Sequence, residues 1–131
     1  MVRFVLIACV ATLAVDALGS ATSETLEFEY GYLWPVSTLV TLAFGFRAGR
    51  EFETARAGLF TGAWMGATES TVGWALSWVI GPGAVEPVDY WIPLIAIVVI
   101  AIAAIEGLIG GWLGRWTVTR RPPPVGATTQ V

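Results

Sequence analysis

Three carboxylates occur where carboxylates are costly. Asp16, Glu69 and Glu106 each interrupt a long apolar stretch, whereas the other acids lie between such stretches. An Asp at the centre of a membrane helix costs at least about 2.5 kcal/mol on an insertion scale, and desolvation favours the neutral acid. Protonatable groups at successive depths are what a proton or cation path requires. With each apolar stretch read as a membrane helix, Asp16 falls in the outer half of the first, Glu69 near the midplane, and Glu106 in the inner half of the last. At 1.5 Å per residue, neighbouring acids are offset by roughly 6 Å in depth. That gap is too wide for a shared proton, but about one or two waters bridge it. The alternative is structural. Each acid, protonated and hydrogen-bonded, fixes helix register, and Glu106 pairs with Arg47 on the cytoplasmic side. Any one acid taken alone is explained by that role. Three, on or beside small-residue faces, keep the path in play.

Few other residues offer chemistry. The chain has no His, so the commonest general base and metal ligand is missing. Ser70 and Ser77 are near Glu69, but without His or Lys nothing activates them. Cys9 lies in an apolar span that disfavours its thiolate. The chain is therefore read as a non-enzyme with no cofactor and no metal. A net charge of −3 without a basic cluster argues against nucleic acid, which needs several phosphate contacts. Trp64 and Trp74 lie deep enough to border a cation or aromatic-ligand site beside Glu69, although lipid-facing packing explains them as simply. Trp34, Trp78 and Trp91 on one side, and Trp112 and Trp116 on the other, suit interface belts.

The elements that position these acids follow from composition. The chain is 56% hydrophobic and 13% charged, about half the charge of a soluble domain. Its apolar residues fall in blocks, the pattern of lipid-facing helices. The blocks predict an all-α bundle of four transmembrane helices, a polytopic membrane protein, in one domain over 1–116. The helices cover about 3–20, 33–48, 57–80 and 91–114, and a flexible cytoplasmic tail covers 117–131. Pro35 suits the first turn of the second helix, and Gly81-Pro82-Gly83 stops the third.

The first stretch has a rival reading. A basic start, an apolar core and small residues after it resemble a signal peptide. A retained helix accounts better for Asp16, because Ala8, Thr12, Asp16 and Ser20 form a ladder spaced by four. Leu6-Ile7-Ala8-Cys9 has the look of a lipoprotein box, but Cys9 lies too near the start for one.

All seven bases are Arg: Arg3, Arg47, Arg50, Arg56, Arg115, Arg120 and Arg121. They fall at the N-terminus, in the second loop and at the C-terminus. The first and third loops hold only acids, among them Glu24, Glu27, Glu29, Glu86 and Asp89. The positive-inside rule places both termini in the cytoplasm of a multi-pass cell-membrane protein. Tyr32-Leu33-Trp34-Pro35 and Tyr90-Trp91-Ile92-Pro93 open the second and fourth helices alike. Duplicated hairpins give that pattern, and so does any outer interface, the simpler account.

Small residues recur every four positions. Gly58, Gly62, Gly66 and Ser70 mark the third helix; Ser37, Thr41, Gly45 and Gly49 the second; Gly107, Gly110, Gly111 and Gly114 the fourth. Such ladders let backbones approach, because packing replaces the missing hydrophobic drive in lipid. A bundle this small has little interior, so a homo-oligomer or a membrane-protein partner is expected beside the bilayer itself.

Phe46-Arg47-Ala48-Gly49-Arg50, Ala55-Arg56-Ala57-Gly58, Gly62-Ala63 and Gly110-Gly111-Trp112-Leu113-Gly114 together resemble small glycine-rich four-helix membrane proteins of unknown function from archaea and bacteria. The similarity covers helices two to four, through motifs that tightly packed membrane bundles share. Glu69 departs from the pattern, since those proteins lack so central an acid. The resemblance implies a fold and no activity. The leading expectation is an accessory or structural membrane protein that oligomerises or packs against a partner. The alternative is a proton- or cation-coupled transporter or channel subunit using Asp16, Glu69 and Glu106.

Overall fold

A computed structural model describes residues 1–26, 30–80 and 91–120, with only the backbone described at Tyr30 and Gly31. Secondary structure among the described residues is entirely helical, with no strand. Helix α1 spans Val2–Leu26, and a single 3₁₀ turn, Tyr30–Leu33, leads into α2, Trp34–Glu51. Then α3 (Ala55–Thr68), a π-helical segment (Glu69–Gly73) and α4 (Trp74–Ile80) follow one another without a break. Helix α5 spans Ile92–Thr119.

Local chemistry explains the helix starts. Pro35 and Pro93 sit in the first turns of α2 and α5, where a missing N–H costs little. Thr54 caps α3, its Oγ1 accepting the Arg56 N–H at 3.3 Å. Just before it, Glu53 takes φ 53°, a left-handed conformation uncommon outside glycine, and this closes the short reversal from α2 into α3.

The π segment has an equally local cause. Hydroxyls of Thr68, Ser70 and Thr71 donate to the carbonyls of Trp64 and Ala67, competing with the backbone ladder. The Trp74 N–H reaches back to the Glu69 carbonyl, five residues earlier, which is the wider π turn.

The helices run longer than the apolar blocks. Helix α1 continues to Leu26 and α5 through Thr119, so the predicted tail at 117 begins with three helical residues. Polar composition marks where a helix leaves an apolar medium, not where it ends. Thr22 and Thr25 donate back to the Leu18 and Ala21 carbonyls, and Thr117 and Thr119 to those of Gly114 and Trp116. The Gly81-Pro82-Gly83 stop, the acids Glu27, Glu29, Glu86 and Asp89, and Arg121 with the rest of the tail lie outside the described residues.

Among the described residues two helices, α1 and α5, are long and apolar enough to cross a membrane. Helix α2 has 18 residues and ends in Arg47, Arg50 and Glu51. The run from Ala55 to Ile80 changes helix type at its centre.

Helix α5 packs against both α2 and α3, whereas α1 lies on α3, the π segment, α4 and the side of α2, without reaching α5 among the described residues. The α2–α3–α5 seam is backbone against backbone. A Cβ on Gly45 would lie 2.6 Å from the Gly107 carbonyl oxygen, one on Gly107 2.9 Å from the Gly62 Cα, and one on Gly111 3.0 Å from the Gly58 Cα. Only glycine allows this approach, which brings Cα–H groups onto facing carbonyls. The pairs Gly45–Gly107 and Gly49–Gly111 make α2 parallel to α5, and Gly58–Gly111 with Gly66–Ala103 makes α3 antiparallel to it. One end of the bundle thus collects the start of α1, the end of α2, the start of α3 and the end of α5. There Phe4 packs edge-on against Phe44 and Phe52. Every arginine among the described residues belongs to those four helix ends.

Candidate functional site

Glu69 opens the π segment, and Glu106 lies near the middle of α5. Both turn toward the first turn of α2. Ser37 Oγ stands 3.2 Å from both carboxylate oxygens of Glu69, and Thr38 Oγ1 donates to Glu106 Oε1 at 2.9 Å. Adjacent hydroxyls of α2 therefore each hold one acid. Between them is a cavity of about 70 Å³, lined by Trp34, Ser37, Thr38, Glu69, Val99, Ile102, Ala103 and Glu106. That is room for about two waters. Ser37, Thr38, Glu69 and Glu106 are half-buried, and Trp34 at the rim is 64% exposed. Trp34 of α2 and Ile102 of α5 are exposed, so the cavity reaches the surface on the flank these two helices form.

The expected pairing of Glu106 with Arg47 is not what forms. Arg47 lies nine residues beyond Thr38 on α2, about 13 Å along the axis, and its guanidinium stands 6.0 Å from the Phe4 ring centroid. Among the described residues the hydrogen-bond donors to the two acids are the Ser37 and Thr38 hydroxyls.

Asp16 belongs to a different contact. It is 4% exposed, and its Oδ2 lies against the Cα of Gly73, in the space a Cβ there would take. One turn on, Ser20 Oγ donates to Ser77 Oγ at 2.9 Å. These contacts make α1 parallel to the α3–α4 run. Phe4, Ala8, Thr12, Asp16, Ser20 and Ser23 form the buried stripe of α1, and Thr12 donates within the helix to the Ala8 carbonyl. Of the three acids, then, Glu69 and Glu106 share a cavity, while Asp16 is packed into the α1 seam.

Trp64 is also placed elsewhere. With Cys9, Phe60, Met1, Val2, Val5, Leu6 and Thr68 it lines an apolar groove of about 570 Å³ between α1 and α3. Trp34, not Trp64 or Trp74, borders the two acids. The residues that sequence reasoning passed over are Trp34, Ser37 and Thr38. Ser37 heads the small-residue ladder of α2, which hinted that it faces another helix without showing which. No group of three or more His, Cys, Asp or Glu side chains comes together among the described residues.

No known family, no curated protein and no solved structure matches this chain.

Proposed function

We propose that the chain is a small multi-pass membrane protein of four spans, formed by α1, α2, the α3–α4 run and α5, with both termini in the cytoplasm. Its role is that of an accessory subunit, which binds laterally to another membrane component and carries out no reaction of its own. The apolar length of α1 and α5 supports the membrane setting. The run from Ala55 to Ile80 is about 39 Å long, enough to span, and α2 is the short span whose arginines snorkel. The arginines gathered at one end support the orientation.

One observation carries the accessory reading: the acids Glu69 and Glu106 are half-buried in an opening on the flank of the bundle, near the middle of their helices. Lipid chains cover carboxylates at a cost of kcal/mol, so a protein surface is the natural lid. Site-directed cross-linking tests this. With Cys9 replaced by Ala, Thr38→Cys is expected to give a protein adduct in native membranes, and a cysteine on the apolar groove, Leu6→Cys, much less. A chain that forms no adduct from Thr38→Cys under any condition overturns the reading.

The same cavity supports a second reading, a proton- or cation-coupled transporter or channel subunit. Two acids from different helices, each with a hydroxyl partner, enclose space for water. In reconstituted vesicles, Glu69→Gln abolishes pH-driven or ion flux on this reading alone. Flux that is absent from the parent chain, or unchanged in the variant, removes it.

A further inference from the structure

We infer that the flank between α2 and α5 is a docking surface for a transmembrane helix of another protein, and that this helix carries an arginine at mid-span. The inference rests on the accessory reading above and names the partner's chemistry.

The argument is one of charge complementarity. Glu69 and Glu106 line a single cavity, and two hydroxyls supply the hydrogen bonds that reach them among the described residues. An ionised carboxylate has about four acceptor sites, so two acids retain capacity for a multidentate donor. The cavity, at about 70 Å³, takes a head group but not the stem that bears it, so the head must enter from the open flank. A guanidinium suits both facts. It is planar, always charged, presents five N–H donors in a fork, and is the usual choice for buried ion pairs across interfaces.

Among the described residues no cation stands at the cavity. The chain has no Lys and no His, and its described arginines all lie at one end of the bundle. A second copy laid on the same flank would therefore bring two more carboxylates and no cation at their level. Like charges facing one another across an interface are repulsive, which disfavours a self-dimer through this flank. The exposed Trp34 at the cavity rim adds an aromatic face over which a guanidinium can stack.

The test uses the full chain in liposomes, donor-labelled at the N-terminus. The probes are acceptor-labelled synthetic helices of about 20 Leu and Ala residues with a central Arg, Gln or Leu. Energy transfer is read against the peptide-to-lipid ratio. The Arg helix is expected to associate at least about 10-fold more tightly than the Gln or Leu helix. The double variant Glu69→Gln with Glu106→Gln is expected to erase that preference while keeping a monodisperse elution profile. Ser37→Ala with Thr38→Ala, which keeps both acids, is expected to retain most of it, so a misfolded double-Gln protein does not decide the matter. Equal binding of all three helices overturns the inference, as does an Arg preference that survives the double-Gln variant. Self cross-linking through Thr38→Cys in liposomes holding only this chain also overturns it, because a copy then covers the flank, and lateral association by itself would stand. Absence of any adduct from Thr38→Cys in native membranes removes the accessory reading instead.

Discussion

The two halves of the α3–α4 run are packed by opposite means. Before the π segment, Gly58, Gly62 and Gly66 meet the backbone of α5. From its last residue onward, Gly73 and Ser77 meet side-chain oxygens of α1, from Asp16 and Ser20. The first seam has nothing that can give way, because a carbonyl or a Cα lies opposite each glycine. The second ends in a side chain, the Asp16 carboxylate, and not in backbone. The π segment divides them. The small residues thus face α5 over the first half and α1 over the second, while α1 also rests on α3. The glycine seam sets how close the helices lie, and the polar seam sets which way α1 faces.

The largest way to break this contrast is to fill the rigid seam. Gly62→Leu or Gly107→Leu is expected to cost at least about 3 kcal/mol, seen as loss of the monodisperse species in detergent and a collapsed thermal transition. Next, Gly73→Leu is expected to displace α1 alone. Hydrogen exchange then shows fast amides in α1 while those of α2, α3 and α5 stay protected. Simultaneous loss of all four would show that the seams are not separable. The milder Gly73→Ala, whose Cβ would press on the Asp16 carboxylate, is expected to cost about 1 kcal/mol, clearly less than Gly110→Ala, whose Cβ would lie 2.8 Å from the Phe46 nitrogen. Removing the Thr54 cap with Thr54→Ala is expected to cost about 1 kcal/mol, read as a shift in thermal midpoint. Ser20→Ala, which leaves Ser77 without its donor, is expected to have the smallest effect, about 0.6 kcal/mol. It sharpens the comparison by showing that register in the polar seam comes from the Asp16–Gly73 fit more than from one hydrogen bond.

The glycine seams were legible because their signal is local: a period of four on one helix requires a close neighbour whichever helix that is. The buried stripe of α1 was legible for the same reason, with Ala8, Thr12, Asp16 and Ser20 in one ladder. The identity of each neighbour was not. Pairing Glu106 with Arg47 was reasonable by charge, yet Thr38 takes that place and the Arg47 guanidinium turns to Phe4 instead. The meeting of Glu69 with Ser37 depends on the π segment as well, which arises from Thr68, Ser70 and Thr71 competing for carbonyls. That competition lies in the sequence, but its effect on direction emerges only in three dimensions. Helix ends were the least legible, since threonine back-bonding carries α1 and α5 past their apolar cores.

The separation between the partners in the polar seam has a consequence in time. Ser20 and Ser77 are 57 residues apart, an interval of about 3–11 s at ordinary rates of translation. Over that interval α1 has been synthesised while the α4 part of the surface it rests on has not. Its striped side, with Thr12, Asp16 and Ser20, is complete before the last of its partners, Ser77, exists. Helix α1 is thus made well before its packing can be completed.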